Sequence, residues 1–401
     1  MKKKLLFVIN TLSRAGAETA LMELLKKLDR REYEIYLYVL TGQGELIKEL
    51  PDGIKLLNPV FSVQSVLTGK GRRELMKKVC LSFIKNGGIA GKIQDVVKTF
   101  LHMVKEKRIQ ADKLFWRVLS DGADRFSLSF DLAVAWIEGG SAYYVADHVK
   151  AEKKAALIHI DYGNAGYTRA MDRDCFEKFT DIFAVSAETK SHFLDVYPEY
   201  ETKLKVFHNI VNQEFIRHRA LEKGGFSDGY KGLRILSVGR LTWQKGFDIA
   251  VEAMDILKKK QYKVRWYVLG EGDQKKALQK KIRGLKLEED FLLEGQADNP
   301  YPYFAQADLY VHATRYEGKS IAVQEAQTLG CAVIASDCNG NREQIRDGVD
   351  GVLCRLTPWS VAEKIEELYL DREKRKALGK EAKKKEISYE RQLELFMELL
   401  G

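Results

Sequence analysis

Short apolar runs alternate with amphipathic stretches along most of this chain. KKLLFVIN opens the series, and Ala17, Ala20, Leu21, Leu24, Leu25 and Leu28 then share one helical face at a 3.6-residue period. YEIYLYVL, IKLLN, DLAVAWI, KAALIHI, DIFAVSA and KLKVF continue it. Strands separated by helix-length segments predict parallel sheets covered by helices on both faces. A second alternation begins at LRILSVG, 233–239, and runs through VRWYVLG, DFLLEG, ADLYVHA, CAVIAS and GVLC. The stretch NIVNQEFIRHRALEKGGFSDGYKG between the two is polar and glycine-rich and reads as a linker. The expected domains are 1–212 and 213–385, the first interrupted by a helical insertion at about 61–118. ISYERQLELFMELLG spaces Leu393, Phe396, Met397 and Leu400 as a helix does, so 386–401 is expected to be a C-terminal helix crossing back to the N-terminal domain.

Length and composition agree with this division. A chain of 401 residues exceeds one ordinary core, and 45% hydrophobic with 31% charged residues is a globular balance. The start, MKKKLLFVINTLSRAGAE, is basic then apolar like a signal peptide, but its apolar stretch is only LLFVI. It is read as a first strand, and the protein as cytoplasmic. Five scattered cysteines without CxxC spacing fit a reducing compartment. The net charge of +9 is concentrated: residues 70–117 hold thirteen Lys/Arg against four Asp/Glu, which leaves the rest formally neutral. A charge this localised marks an interaction surface.

Two motifs in the second half carry chemistry. In GRLTWQKG, 239–246, Gly239 ends a strand and permits close backbone approach, Arg240 offers two parallel donors to a phosphate, and Lys245 adds a point charge. The bland alternative is an ordinary loop with two solvated cations. In EGKSIAVQEA, 317–326, Glu317 precedes a helix and Glu325 lies on it. On one continuous helix that spacing separates two carboxylates by ~12 Å and ~80°, which suits the two ends of one extended ligand. Gly318, Lys319 and Ser320 would begin the helix, where free N–H groups meet phosphate. Cations for a diphosphate and carboxylates for hydroxyls together describe a nucleotide-sugar site.

These motifs, with GAE at 16–18, VSAETKSHF at 185–193, HNIVN at 208–212, VLGEGD at 268–273 and GNREQIRDGVDG at 340–351, resemble those of the family 4 retaining glycosyltransferases (group 1) of bacterial polysaccharide and lipid-linked glycan synthesis. The resemblance runs nearly end to end except for 61–118. It implies the GT-B fold: two Rossmann-like domains with parallel sheets facing across a central cleft. It implies that Arg240 and Lys245 neutralise the donor diphosphate, that Glu317 faces the transferred sugar and that Glu325 holds the ribose. Gly16 and Gly270 fall in the family's glycine loops, and His159 at the end of KAALIHI falls where a histidine stands near the reaction centre. Asp161 and Tyr162 are expected to shape the acceptor side. Lys319 departs from the pattern, which often has a hydrophobic residue there.

The implied reaction keeps the anomeric configuration, uses no protein nucleophile and needs no divalent metal or other cofactor. UDP-hexose or UDP-N-acetylhexosamine is favoured as donor over GDP-mannose. The one DxD, Asp172–Arg173–Asp174, is read as a solvated turn or helix face rather than a metal site. For the insertion, lysines together with Leu75, Met76, Val79, Phe83 and an Ile93–Val104 face predict attachment to an anionic membrane surface through 70–117, and a lipid-linked saccharide as acceptor. The alternative is a helical pair packing its apolar side inward. A nucleotide-sugar epimerase on the same fold and a non-catalytic nucleotide-sugar-binding subunit are the rival readings. Nucleic acid is not expected as a partner, because no recognition module accompanies the basic patch.

Overall fold

The computed structural model describes residues 2–105, 113–162, 165, 167–386 and 390–400. It divides into two units: 1–210 with 390–401, and 211–389. The first unit holds seven strands: β1 (Lys3–Ile9), β2 (Tyr33–Val39), β3 (Ile54–Leu56), β4 (Ser129–Ala135), β5 (Lys150–Ile158), β6 (Asp181–Ala184) and β7 (Leu204–Val206). The second holds six: β8 (Leu233–Val238), β9 (Val264–Leu269), β10 (Phe291–Gly295), β11 (Leu309–His312), β12 (Ala332–Ser336) and β13 (Val352–Cys354). Every pairing between them is parallel. The orders are β3-β2-β1-β4-β5-β6-β7 and β10-β9-β8-β11-β12-β13. Both are the doubly wound arrangement, whose order reverses beside the first strand and opens a crevice at the carboxyl ends.

Burial on both sheet faces explains why the central strands read as continuous apolar runs. Leu5 through Ile9 and Ile35 with Leu37–Leu40 are fully buried, as are Ile235, Leu236, Trp266 and Val268. β5 begins earlier than its apolar run, at Lys150, because Ser129 and Phe130 of β4 pair with Lys150 and Ala151. The expected linker contains a helix, Gln213–Arg219, whose cap is Asn212: its side chain accepts from the Phe215 N–H. The C-terminal helix Glu390–Met397 lies in the first unit, where Phe396 stacks on Phe7 with ring centroids 5.8 Å apart.

The insertion forms α2 (Gly69–Ile84) and α3 (Ile89–Lys105), following α1 (Gly16–Lys27). Within 70–117, residues 106–112 lie outside the described set, as do 387–389 of the C-terminal segment. Leu75, Val79 and Phe83 of α2 pack against the core, which removes them from the outward apolar face. Among the described residues no helix is long and apolar enough to cross a membrane.

One expectation is overturned inside the first unit. Asp172 is not solvated: it is fully buried in a cage of tyrosines. Tyr143 donates to its Oδ1 at 2.8 Å, and Tyr162 and Tyr197 donate to its Oδ2 at 2.7 Å each. Arg117 donates to the main-chain carbonyls of Met171 and Asp172 and pairs with Asp147 at 2.7 Å. Burial pushes the Asp172 carboxyl above its ordinary range, and the three phenol O–H groups and Arg117 pull it partway back. Arg173 (φ 48°) and Asp174 (φ 55°) follow in left-handed backbone and are exposed, so Asp172 alone of the three enters the cage.

Candidate functional site

In the second unit the site grows from the carboxyl ends of β8, β9 and β11. The loop after β8 makes a tight turn through Trp243–Lys245 into the helix Phe247–Lys259, and Gly246 closes it at φ 61°. A Cβ on Gly246 would stand 1.9 Å from the Ala313 carbonyl oxygen, so only glycine lets this loop meet the one after β11. The two loops are then tied together. The Arg315 N–H donates to the Gln244 carbonyl at 2.8 Å, and the Gln244 side chain donates to the Tyr316 carbonyl at 2.9 Å. Arg315 also forks onto Asp248 with bonds of 2.9 and 2.7 Å. Gly270 serves the neighbouring loop: a Cβ there would stand 2.0 Å from the Gly239 carbonyl oxygen.

This tying sets Lys245 on Glu317. The ammonium is ion-paired with Glu317 Oε2, and both side chains are about nine-tenths removed from solvent, at 14% and 15% exposure. His312, at the end of β11, places Nε2 3.2 Å from the same carboxylate oxygen, and the Tyr310 hydroxyl lies 3.2 Å from its Nδ1. The bonding assigns the Nε2–H tautomer, with Tyr310 donating to Nδ1. Burial opposes a charge on Glu317, but Lys245 and the His312 N–H overcome it and hold the carboxyl at about 2. Burial holds the His312 imidazole below its usual range, so it is neutral at pH 7. The stem of Lys245 lies 3.7 Å from where a Gly239 Cβ would stand. The next residue, Arg240, is exposed, and its guanidinium has no partner among the described residues.

The second glutamate stands in a different environment. Glu325 is buried on the helix Ile321–Thr328, and its Oε1 accepts from the Tyr301 hydroxyl at 3.2 Å. Burial raises its carboxyl to about 7, with the Tyr301 bond pulling the other way. One carboxylate is thus firmly ionised and the other is poised to ionise near neutrality, a contrast that marks functional sites. Ser320 departs from its expected part. Its N–H is already taken by Gln344 Oε1 at 2.9 Å, and its carbonyl accepts from Gln344 Nε2 at 2.8 Å. The helix begins at Ile321 with Ser320 as its N-cap, so Gly318 and Lys319 precede it rather than open it. Lys319 is half-buried without a partner among the described residues, and burial lowers its ammonium, with Glu343 raising it and Lys385 lowering it.

The first unit presents its own set at the ends of β1, β4 and β5. Gly16 is exposed at the first turn of α1. His159 follows β5, and its N–H donates to Glu138 Oε2 at 2.9 Å. Burial lowers the imidazole to about 4, opposed by a hydrogen bond to the Trp136 backbone. Nδ1–H therefore donates to the Trp136 carbonyl and Nε2 is a lone-pair acceptor, buried and without a hydrogen-bond partner. A lone-pair acceptor suits a hydroxyl donor and repels a phosphate oxygen. Asp161 is buried and pairs with His192 Nδ1 at 2.9 Å. Tyr162 is fully buried with its hydroxyl on Asp172, which corrects its assignment to the acceptor side: it is part of the tyrosine cage.

Sequence reading missed His312, Gln344, Glu138 and His192. Glu138 could have been flagged by EGG directly after the apolar run DLAVAWI, just beyond a carboxyl strand end. The others lie inside quoted motifs, and only their partners give them meaning.

With this geometry in place, similarity to known proteins takes on content. Residues 228–385 match the glycosyl transferases group 1 family model. The chain is 34% identical over 155 residues to the Campylobacter jejuni N-acetylgalactosamine-N,N'-diacetylbacillosaminyl-diphospho-undecaprenol 4-alpha-N-acetylgalactosaminyltransferase, covering 38% of this chain and 40% of that one. It is 24% identical over 278 residues to the Bacillus subtilis poly(glycerol-phosphate) alpha-glucosyltransferase, 63% of this chain and 40% of the relative. The chain thus spans about two-fifths of the length of these curated relatives. Among solved structures, Anabaena HepE in complex with UDP-glucose superposes with a TM-score of 0.68 at 17% identity, over 99% of this chain and 98% of that one. TarM superposes at 0.67 and 13% identity, over 100% and 99%. At these identities the likeness establishes the fold, GT-B, and no more.

Proposed function

We propose that this chain, whose second unit is a group 1 glycosyltransferase domain on a GT-B fold, transfers a hexose or N-acetylhexosamine from a nucleotide-diphosphate sugar to a saccharide acceptor. The observation that carries it is the Lys245–Glu317–His312 cluster beside unpartnered Arg240, at the carboxyl ends of a parallel sheet. Two cations next to a fixed carboxylate match a diphosphate joined to a sugar: Arg240 and Lys245 meet the phosphates, and Glu317 accepts from sugar hydroxyls. Buried Glu325 accepts from the ribose; in the first unit, taken by itself, His159 Nε2 is an acceptor open to a hydroxyl.

The reaction proceeds with retention. The acceptor oxygen bonds to the anomeric carbon on the face from which the phosphate oxygen departs, and the acceptor proton passes to that phosphate oxygen. The products are the glycoside and the nucleoside diphosphate. Charge grows on the leaving phosphate, so fixed cations supply the acceleration and no protein nucleophile or metal takes part. UDP is the favoured nucleotide. The acceptor is a lipid-linked saccharide of cell-surface polysaccharide synthesis, and the protein works peripherally at the cytoplasmic face of the membrane. The diphospho-undecaprenol in the C. jejuni name supports a lipid-linked acceptor, and the two names together support a hexose or N-acetylhexosamine as the sugar moved.

A thermal-shift panel of UDP, GDP, ADP and their sugar conjugates tests the reading. One nucleotide is expected to raise the melting temperature, and Arg240→Ala is expected to remove that shift. No shift with any nucleotide would sink the proposal. Product anomeric configuration, read by NMR, and activity in excess chelator test retention and metal independence.

Glu325 adds a pH signature. Ribose O–H groups bond more strongly to an ionised carboxylate. Binding of UDP-glucose, whose diphosphate diester does not titrate here, should therefore tighten as pH rises through about 7. Between pH 7.5 and pH 6 the Kd is expected to weaken by about eightfold to tenfold. Calorimetric titration across that range, with Glu325→Gln as a pH-flat control, checks it.

A further inference from the structure

α3 turns most of its apolar residues outward. Among its described side chains Met103 is the one apolar residue that is buried, and the inward side also carries charged groups. Lys92, 5% exposed, donates to the carbonyls of Ser82 and Lys85 at the end of α2, and Asp95 pairs with Arg173. The side that meets solvent is apolar: Ile89, Ile93, Val97, Phe100, Leu101 and Val104 are all exposed, with Ile93 at 51% and Leu101 at 59%. Their spacing of three and four residues aligns them as one stripe. At the hairpin, Leu81 and Ile84 of α2 are exposed as well. A contiguous apolar face of this size on a folded protein is a contact surface.

We infer that the outward stripe of α3 inserts in the plane of an anionic lipid bilayer, with Phe100 and Leu101 in the acyl boundary and exposed cations such as Arg72, Arg73 and Lys77 on the headgroups. Charge selects this occupant. The segment carries the whole net +9 of the chain, and exposed Arg72, Arg73 and Lys77 surround Met76 and Leu81 on α2. An anionic surface complements that field and adds to apolar insertion. A second copy would face the same face across a two-fold axis and set +9 against +9. The inference stands on α3 itself and does not depend on the donor site.

Vesicle co-sedimentation tests it. At low salt the full chain is expected to pellet with phosphatidylglycerol-containing vesicles and to stay in solution with pure phosphatidylcholine. Phe100→Ser/Leu101→Ser should weaken binding by about tenfold or more, since each lost side chain removes apolar insertion. Both positions are exposed, so the melting temperature should not move. Arg72→Glu/Arg73→Glu should weaken binding through the charge alone. The inference fails if the unaltered chain ignores anionic vesicles at low salt, or if neither variant changes its binding. It fails too if sedimentation velocity shows a dimer that the Phe100→Ser/Leu101→Ser variant dissolves, which would give the face to a second copy. The nucleotide-induced thermal shift is read separately, so the two readings can fail independently.

Discussion

Lys245→Ala is expected to lower turnover by about 10²–10³-fold, the loss typical when one preorganised group facing transition-state charge is removed. The structure adds a second consequence. Lys245 is also the partner of Glu317, a carboxylate almost wholly withdrawn from water. Removing it leaves His312 as the remaining donor to Glu317 Oε2. Stranding a buried charge is costly, and the shift of Glu317 from 4.5 to about 2 corresponds to roughly 3 kcal/mol. The sign of the pH dependence follows. A carboxyl lowered by folding contributes stability that is full above about 4.5 and is lost as pH falls toward 2. The variant should therefore unfold several degrees lower at pH 7, and the gap should narrow near pH 3. Lys245→Ala/Glu317→Gln should recover most of the stability and none of the turnover. A double variant as unstable as Lys245→Ala would show that the pair is not what the lysine stabilises. Differential scanning calorimetry at the two pH values, with a donor-consumption assay, separates the two effects.

Asp172→Ala is the substitution expected to harm folding most. Three buried phenol O–H groups end on this one side chain. Alanine leaves them without an acceptor in a region from which water is excluded, and each unsatisfied group costs about 1–3 kcal/mol. Partial relaxation lowers the sum, and a loss of roughly 4 kcal/mol is expected for the variant as a whole. Asp172→Asn keeps two acceptor lone pairs on one oxygen and introduces a donor the tyrosines cannot all accept, so it should fall between. Chemical denaturation of the full chain measures both. A loss under about 1 kcal/mol for alanine would show that the cage does not act as one network.

How far the sequence could be read differs between the sheets and the site. All thirteen strands overlap the apolar runs, and the central ones read as continuous because a strand buried on both faces must be apolar at successive positions. The identity of Arg240, Lys245, Glu317 and Glu325 as the residues that come into question was legible from motif spacing. Their states were not. Nothing in EGKSIAVQEA says that one glutamate sits beside an ammonium and its twin beside a lone phenol, yet this separates a carboxyl at about 2 from one at about 7.

The same divide appears in the insertion and in the tyrosine cage. The periodicity of 89–105 predicts an amphipathic helix and its composition predicts a basic surface; neither says which face turns inward. Lys92, seated on the last carbonyls of α2, decides that for α3, while Val79 decides the opposite for α2. Asp172 looked solvated because an aspartate followed directly by two charged residues, Arg173 and Asp174, usually is. Its surroundings come from Tyr143, Tyr162 and Tyr197, which adjoin it only once the chain has folded. By itself the sequence determined the order of strands and helices and the residue types available for chemistry, because those follow from local patterning. Only the tertiary structure decided which charges are paired, which are buried and which faces remain open, because each depends on neighbours distant along the chain.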